Sequence, residues 1–362
     1  MADAHTPAQT GIQIRNLYKI FGPTPGKFLD PVRQGMSKQE LRDTHGHVLG
    51  LRDINIDMPA GGIQVVMGLS GSGKSTLIRH INRLIDPTAG QVLVQVDGRE
   101  VDVVAMKQAE LLQFRRRQTA MVFQKFALFP HYTVLENVEY GLKVQGVAHR
   151  QRQESALRWV ERVGLKGYED HYPNQLSGGM QQRVGLARAL TNDAPILLMD
   201  EAFSALDPLI RSDMQGVLLD LQQDIGKTIV FITHDLDEAL RLGDRVAILR
   251  DGEVIQQGTG QQIVLQPANG YIASFVQDVN RGRVVRCRTL MQPGAAPVPG
   301  PTVEASVVIE EAARVLSAES QEAANVVNSR GKHLGTLAMA DIIAAMVPPR
   351  APETAPPEGT PG

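Results

Sequence analysis

Short apolar runs alternate along the chain with longer segments in which apolar residues recur every three or four positions. The short runs have the length of strands buried on both faces, and they cover residues 63–67, 119–123, 196–200, 228–233 and 245–249. Helical spacing predicts helices over 155–163 and 212–223, and another helix follows the first run from Ser75. This alternation predicts an α/β domain with a mostly parallel sheet.

The pattern divides the chain into a large domain over residues 1–278 and a smaller unit over 303–346. Residues 279–302 are predicted as a linker, because a Pro- and Gly-rich segment there does not favour regular structure. The smaller unit has the pattern of helix, strand, strand and helix, which predicts a small α+β fold. Residues 347–362 contain six prolines and are predicted to be disordered.

Composition narrows the classes of function. Apolar residues make up 43% and charged residues 21% of the chain, as in soluble globular proteins, which excludes collagen and coiled coil. The formal net charge of −2 argues against a dedicated nucleic-acid binder. Cys287 is the single cysteine, so an intrachain disulfide and a Cys-rich zinc site are both excluded. No run has the roughly 18 apolar residues of a membrane span, so we expect another chain to cross any membrane.

A phosphate-binding motif follows the first apolar run. Residues 68–76 read GLSGSGKST, which matches G-x-x-x-x-G-K-[ST] between a strand and a helix. The glycines let backbone N–H groups approach phosphate oxygens, and the positive end of the helix faces them. We expect Lys74 to reach the β- and γ-phosphates of ATP, Ser75 to coordinate Mg²⁺ and Thr76 to lie near the α-phosphate. The predicted ATP-binding residues of this loop are Gly68, Ser70, Gly71, Ser72, Gly73, Lys74, Ser75 and Thr76.

The strand predicted over 196–200 ends in two acidic residues. Asp200 at its end is expected to hold Mg²⁺, and Glu201 to polarise the water that attacks the γ-phosphate. The alternative is that the two acids only begin a surface loop. The phosphate-binding loop upstream favours the catalytic interpretation.

Residues 176–183 read LSGGMQQR and resemble the signature sequence of the ATPases of ABC transporters. Other motifs of that family occur in the expected order along the chain. Gln124 matches the Q-loop before the signature, and residues 204–207 match the D-loop and His234 the switch histidine after it. The resemblance covers about residues 12–278. It implies a P-loop ATPase domain in which about residues 133–190 form a helical subdomain that carries the signature.

The resemblance also implies a homodimer with two ATP molecules at its interface. The signature residues would contact the γ-phosphate of ATP held by the other copy, and they are Ser177, Gly178, Gly179 and Gln181. One copy has one P-loop and one signature, so it cannot complete a site by that geometry. A head-to-tail pair with twofold symmetry makes both sites alike.

Single residues take further roles from the same resemblance. His234 would contact the γ-phosphate and hold Glu201 in place, and Lys74 joins them as a catalytic residue. Gln124 would touch Mg²⁺ and relay the nucleotide state, and Asp207 would link the two sites. Phe21 matches the aromatic residue that stacks on adenine, with Tyr18 as a rival.

Two departures from the common pattern narrow the subfamily. Residues 23–49 form an insertion that resembles one in the ATPases of glycine betaine and proline betaine importers, and Ala202 stands where relatives commonly have proline. The implied function is to power the import of a quaternary ammonium osmoprotectant through separate permease subunits at the cytoplasmic face of the membrane. An external binding protein would deliver the substrate, and no nucleic acid is involved.

Alternatives to this interpretation stay open. Choline and histidine importers share much of the pattern, so the transported molecule is less defined than the family. A soluble ABC ATPase that acts on ribosomes or DNA is a different class, as is an exporter ATPase. Residues 303–346 resemble one CBS motif, where family members often carry two, and a packing or dimerisation role is the alternative.

Overall fold

The computed structural model describes residues 10–96, 98–124, 127–204 and 206–347, without the side chains of Thr10 and of 223–225. The chain divides between Gln257 and Gly258 into two compact units, which are treated separately below. The sequence pattern put this boundary at 278 instead. The reason for the difference is that Leu265 packs against the core of the second unit.

The first unit contains ten strands and nine α-helices among its described residues. The strands are β1 (Thr10–Phe21), β2 (Val48–Pro59), β3 (Ile63–Met67), β4 (Ala89–Val96), β5 (Arg99–Asp102), β6 (Thr119–Val122), β7 (Ile196–Asp200), β8 (Thr228–Thr233), β9 (Arg245–Arg250) and β10 (Glu253–Gly258). The helices are α1 (Leu29–Arg33), α2 (Lys38–His45), α3 (Lys74–Ile81), α4 (Gln108–Arg117), α5 (Val134–Val144), α6 (His149–Arg162), α7 (Gly178–Thr191), α8 (Pro208–Ile225) and α9 (Leu236–Leu242).

A six-stranded sheet has the order β10-β9-β3-β8-β7-β6. The pairs β3–β8, β3–β9, β6–β7 and β7–β8 are parallel. The five strands predicted from the apolar runs are β3, β6, β7, β8 and β9, which confirms the α/β class. In register, Met67 lies opposite Thr233 and Asp200 opposite Ile232, so the loops after these strands leave the same edge of the sheet. Ligands of open parallel sheets bind at that edge.

A second sheet of the first unit, with the order β2-β1-β4-β5, was not predicted. Its pairs are antiparallel, and burial alternates along β2 because one face covers a core. That core is shared with the parallel sheet and α3, and includes Ile14, Ile54, Val66 and Leu77, each fully buried. The two sheets therefore hold α3, and the loop before it, from both sides.

Three helices form the region predicted as a helical subdomain over 133–190. Thr133 begins α5 with a capping box, in which its hydroxyl accepts from Glu136 N and the Glu136 carboxylate accepts from Thr133 N. Val138, Val160 and Val184 come from α5, α6 and α7 and are fully buried in one small core. The signature sequence begins α7.

The insertion over 23–49 folds into a 3-10 turn (Pro25–Phe28) followed by α1 and α2. Ser37 caps α2, since its hydroxyl accepts from Glu40 N, and Gly46 ends the helix in the left-handed conformation with φ of 63°. Leu41 is fully buried with Tyr18 and Leu49 in a core of its own. The insertion is therefore a packed element and not an open loop.

The second unit contains the helices α10 (Gly260–Leu265), α11 (Gly270–Phe275), α12 (Cys287–Leu290), α13 (Ile309–Ala318) and α14 (Met339–Met346). Its strands are β11 (Gln292–Pro293), β12 (Thr302–Glu304), β13 (Ala323–Val327) and β14 (His333–Ala338), in the order β11-β14-β13-β12. The predicted helix, strand, strand and helix are α13, β13, β14 and α14. The residues predicted as a linker, 279–302, differ from that expectation, since they contain α12 and β11.

The core of the second unit explains why that segment is ordered. Val285 and Cys287 are fully buried beside Ile309, Val326 and Leu337. Burial raises the pKa of the Cys287 thiol to about 11, so this cysteine is a packing residue at neutral pH. The tail predicted to be disordered lies outside the described residues from 348 onward. No helix in the described part of the chain is long and apolar enough to cross a membrane.

Candidate nucleotide-binding site

A cavity of about 410 Å³ opens at the edge of the parallel sheet where its strands end. Nine of the predicted site residues line it: Phe21, Ser70, Gly71, Gly73, Lys74, Ser75, Thr76, Gln124 and Glu201. Four residues that were not predicted complete its wall: Lys38, Val48, Leu49 and Gly50. The loop after β3 gives one side of the cavity, and β1, β2 and the insertion give the other.

The P-loop needs glycine where the backbone comes close to its neighbours. Gly73 has φ of +104°, and a Cβ there would lie 2.8 Å from Gly50 O. The loop is fixed from outside as well, since Gly252 N donates to Ser72 O at 3.0 Å. Residue 73 is followed directly by α3, so the first N–H groups of this helix face the cavity.

Lys74 is 4% exposed and turned back on its own loop. Its ammonium donates to Gly68 O at 2.8 Å and Leu69 O at 3.1 Å, and lies 3.5 Å from Glu201 Oε1. A buried ammonium needs such partners because burial without them is costly. These carbonyl partners are ones that phosphate oxygens can replace.

Asp200, at the end of β7, is 4% exposed and holds two donors. Ser75 Oγ donates to its Oδ1 at 2.7 Å, and Arg79 Nη2 donates to its Oδ2 at 3.2 Å. A hydroxyl and a carboxylate in contact are the protein oxygens that P-loop enzymes offer to Mg²⁺, with nucleotide phosphates as the remaining ligands. The residues present thus fit a magnesium ion. Arg79 was not predicted, although its position one helical turn after Ser75 is a signal for it.

The other residues predicted to take part in hydrolysis lie around the Glu201 carboxylate. Gln124 Nε2 donates to its Oε2 at 3.1 Å, and His234 Nδ1 lies 3.7 Å from the same oxygen. Its backbone has φ of +46°, a conformation that costs a non-glycine residue roughly 1–3 kcal/mol. Glu201 N is held by Ile232 O at 3.1 Å, so β8 fixes the turn that presents the carboxylate. Glu201, on the cavity wall, therefore has an ammonium, an amide and an imidazole around its carboxylate, although His234 itself does not line the cavity.

The two aromatic candidates for base stacking lie in different environments. Phe21 is 39% exposed on the cavity wall, with Lys19 Nζ 4.9 Å from its ring centroid. Tyr18 is only 8% exposed and packs with Leu41 in the core of the insertion. An aromatic ring can stack on a base only where its face is open, so the structure favours Phe21 over Tyr18.

The signature residues do not join this cavity. Ser177 is exposed and caps α7, where its hydroxyl accepts from Met180 N at 3.3 Å. Gly178 is exposed as well, and a Cβ on Gly179 would lie 2.6 Å from Ile210 Cγ2. Gln181 donates to Pro173 O at 3.0 Å. One copy of the chain therefore shows the P-loop and the signature as separate surfaces.

Two further residues of the predicted site have local structural contacts. Asp207 caps α8, since its Oδ1 accepts from Ile210 N at 3.1 Å, and Ala205 of the same loop lies outside the described residues. Thr76 O accepts from His80 Nδ1 on α3, and burial lowers the pKa of His80 to about 4. His80 is therefore neutral at pH 7 and adds no charge beside the P-loop.

Comparison with known proteins agrees with this geometry. The ABC transporter family model matches residues 51–204. The glycine betaine transport ATP-binding protein OpuAA of Bacillus subtilis is 52% identical over 281 residues, which cover 78% of this chain and 66% of that protein. The glycine betaine/proline betaine transport system ATP-binding protein ProV of Salmonella typhimurium is 45% identical over 335 residues, covering 92% of this chain and 82% of that protein.

A solved structure extends the similarity to the fold. The dimeric ATP-binding cassette MJ0796, in a post-hydrolysis state bound to ADP and Pi, superposes with a TM-score of 0.57 at 33% identity. The match covers 69% of this chain and 98% of that cassette. The chain therefore belongs to the ATP-binding proteins of ABC transporters, in the group that contains the glycine betaine transport ATP-binding proteins.

Proposed function

We propose that this chain hydrolyses ATP to power the import of a quaternary ammonium osmoprotectant, of the glycine betaine, proline betaine or choline type. The observation that carries the proposal is the meeting of Lys74, Gln124 and His234 around the Glu201 carboxylate beside a phosphate-binding loop. The relatives named for glycine betaine transport supply the class of substrate. A choline or histidine importer is the alternative within the same family.

The residues around Glu201 divide the chemistry of hydrolysis among them. Lys74 exchanges its bonds to backbone carbonyls for bonds to phosphate oxygens and offsets the charge that develops on them. Glu201 accepts a proton from the attacking water, and His234 orients Glu201 and contacts the γ-phosphate. Gln124, which donates to the same carboxylate, senses whether the water and the phosphate are present.

Mg²⁺ would be held by Ser75, Asp200 and Gln124 together with the phosphates of ATP. It supplies positive charge that draws electrons from the phosphoryl oxygens. Arg79 keeps the Asp200 carboxylate turned toward Ser75, which is the orientation in which both can serve the ion. Ser75 and Asp200 are therefore already side by side before the ion binds.

A second copy completes each site. The exposed Ser177 hydroxyl and the N–H groups at the start of α7 would donate to γ-phosphate oxygens of ATP held by the P-loop of the other copy. Support comes from the dimeric state of the related cassette. Gly178, Gly179 and Gln181 shape this helix start, and Asp207 lies in the loop that links the two sites.

Coupling to transport requires a permease that senses the nucleotide site. A cavity of about 330 Å³ lies next to Gln124. Its lining combines aromatic side chains with basic ones, and includes Phe123, Phe129, Tyr140, Arg115, Arg116 and Arg188. We expect an integral membrane permease to dock here, so that closure of the ATP dimer changes its access from one side of the membrane to the other. The chain would lie on the cytoplasmic face, and a substrate-binding protein would act on the far side.

Within the second unit, we propose that residues 303–346 are a single CBS-like unit that packs against a partner or regulates transport. Its four-stranded sheet with α13 and α14 supports this assignment. The unit has a fully buried core of its own, so it is built as a separate module. Nucleic acid is not a partner under this proposal, in keeping with the net charge of −2.

The test is to identify what the chain binds in its native membrane. The Glu201→Gln variant, tagged and purified with Mg-ATP, should retain a multi-span permease. The wild-type chain, assembled with that permease, should hydrolyse ATP faster with a betaine and its binding protein. The Lys74→Ala variant is the matched control, because it should not hold the closed state. Recovery of ribosomal proteins or DNA in place of a permease would favour the soluble class of ABC ATPase.

A further inference from the structure

The insertion reaches the nucleotide cavity through one side chain. Lys38, the first residue of α2, lines the cavity together with Phe21, Val48 and the P-loop. No motif in the sequence points to this residue, since the phosphate-binding loop lies 30 residues and more along the chain. Its amine is the second ammonium on the cavity wall after Lys74.

The packing of the insertion fixes where Lys38 stands. Leu41, one turn further along α2, is fully buried, and Arg52 Nη2 donates to Met36 O at 2.6 Å just before the helix begins. Arg52 Nη1 is in turn paired with Glu253 at 3.2 Å. The start of α2 is therefore tied to β2 and β10, which also border the P-loop.

Lys38 faces an acidic partner that is only loosely held. Its Nζ lies 3.6 Å from Asp251 Oδ1, and the two side chains are 40% and 70% exposed. An ion pair with this exposure adds little stability. Its ammonium is thus free to exchange Asp251 for a better acceptor inside the cavity.

The end of the cavity at which Lys38 lies can be identified. A neighbouring cavity of about 340 Å³ is lined by Lys38, Gln39, Arg42, Val48 and Asp251, with no residue of the P-loop. Lys38 is therefore at the Val48 and Phe21 end. Phosphates bind at the start of α3, and an aromatic side chain takes the base, so this end receives the base and ribose.

Resting on the proposed function, we propose that Lys38 is a nucleotide-binding residue that donates a hydrogen bond from Nζ to the base or ribose of ATP. An ammonium has three donors and no acceptor, and adenine ring nitrogens and ribose oxygens are acceptors. In the absence of nucleotide, Asp251 takes this ammonium. The insertion thus gives the family's common site an extra contact that strengthens nucleotide binding and takes no part in hydrolysis.

The test compares nucleotide binding by the full chain and its variants in calorimetry. Lys38→Met should weaken MgATP and MgADP equally, by about three- to tenfold, and leave the binding of inorganic triphosphate unchanged. Lys38→Arg should restore most of the affinity. Arg42→Met is the matched control, because it removes the same charge from the same helix outside the nucleotide cavity, and it should change none of these affinities.

Several results would overturn the assignment. MgATP binding by Lys38→Met at the wild-type value would show that Lys38 does not contact the nucleotide. Equal weakening of triphosphate and MgATP binding would make the effect one of general charge. Equal losses in Arg42→Met would have the same meaning. A wild-type chain that bound no MgATP would overturn the proposed function itself, and the inference with it.

Discussion

The P-loop and the signature sequence differ in how many of their polar groups have bonding partners within one copy of the chain. Around the P-loop, the Lys74 side chain is only 4% exposed. The carboxylates of Asp200 and Glu201 both accept hydrogen bonds from side chains of the same chain. At the signature, Ser177 and Gly178 are exposed, and the Ser177 hydroxyl accepts a hydrogen bond from Met180 N at the start of α7. One surface is a pocket whose polar groups are bonded to one another, and the other is an exposed helix start that does not line this pocket.

The difference indicates how the work of the site is divided between two copies. Buried, mutually bonded groups hold their geometry before substrate arrives, which is what transition-state stabilisation needs. Exposed donors at a helix start are able to meet a ligand held elsewhere. We therefore expect substitutions on the P-loop side to act within one copy, and substitutions at the signature to act only once two copies meet.

The largest effect is expected from Glu201→Gln. Loss of the base should lower ATP hydrolysis by about 1,000-fold, while Mg-ATP still binds and the chain accumulates as a dimer. Phosphate release and sedimentation of the purified chain measure the two properties. Glu154→Gln, an exposed carboxylate on α6, is the control. Near-normal turnover of Glu201→Gln would remove it from the role of base.

A smaller loss is expected from Ser177→Arg. The bulky cation displaces the donors at the start of α7 and should lower hydrolysis by about 100-fold. Affinity of the dilute monomer for Mg-ATP should stay unchanged, as should that of the control Gln151→Arg on α6. If the monomer lost affinity, the signature would act within its own copy or in folding.

Phe21→Ala should weaken nucleotide binding within one copy, in contrast to substitution of the signature residue Ser177. Removal of the stacking face should weaken Mg-ATP binding by the dilute monomer by about tenfold. Tyr18→Phe is the control, because Tyr18 packs in the core of the insertion. Fluorescence titration with ATP measures both. Unchanged affinity in Phe21→Ala would mean that the base lies elsewhere.

A further prediction concerns the folding stability of the P-loop side as the pH falls and leaves nucleotide binding aside. Burial lowers the pKa of His80 from 6.5 to about 4, so the unfolded chain takes up a proton here that the folded chain does not. The contribution of neutral His80 to the free energy of unfolding is therefore fully present above about pH 6.5, and it is lost as the pH drops toward 4. At pH 5 the loss due to His80 is about 2 kcal/mol.

His80→Leu removes this titrating group. Urea unfolding at pH 7.5 and pH 5 should show that the variant loses about 2 kcal/mol less than the wild type between the two conditions. The comparison is of differences, so a change in the variant's stability at pH 7.5 does not affect it. The same pH dependence in both proteins would contradict the assignment to His80.

The sequence predicted the parts of the fold that depend on neighbouring residues in the chain. Strands β3, β6, β7, β8 and β9 are continuous apolar runs, and the P-loop has its glycines and lysine within nine positions. The antiparallel sheet was missed because polar residues interrupt the apolar positions of β1, β2 and β4, and because β1 pairs with residues 48–59, far along the chain. Local pattern does not report such pairing.

The same reason explains what was missed at the site. The fold brings the Lys38 side chain to the cavity and the Arg79 side chain to Asp200. Neither residue belongs to a sequence motif that would have identified it. Residues 258–278 were assigned to the first domain because apolar residues do not indicate which core they join. The roles at the signature came from resemblance, since a single copy does not bring it to ATP.

The most direct test of the account uses two complementary variants in the Glu201→Gln background. One copy carries Lys74→Ala and the other Ser177→Arg, so that only a mixed pair has one intact P-loop facing one intact signature. With saturating Mg-ATP, sedimentation should show each variant alone as a monomer and the equal mixture as a dimer that contains both. A mixture that stayed monomeric, while Glu201→Gln alone formed dimers, would contradict the sharing of each site between two copies.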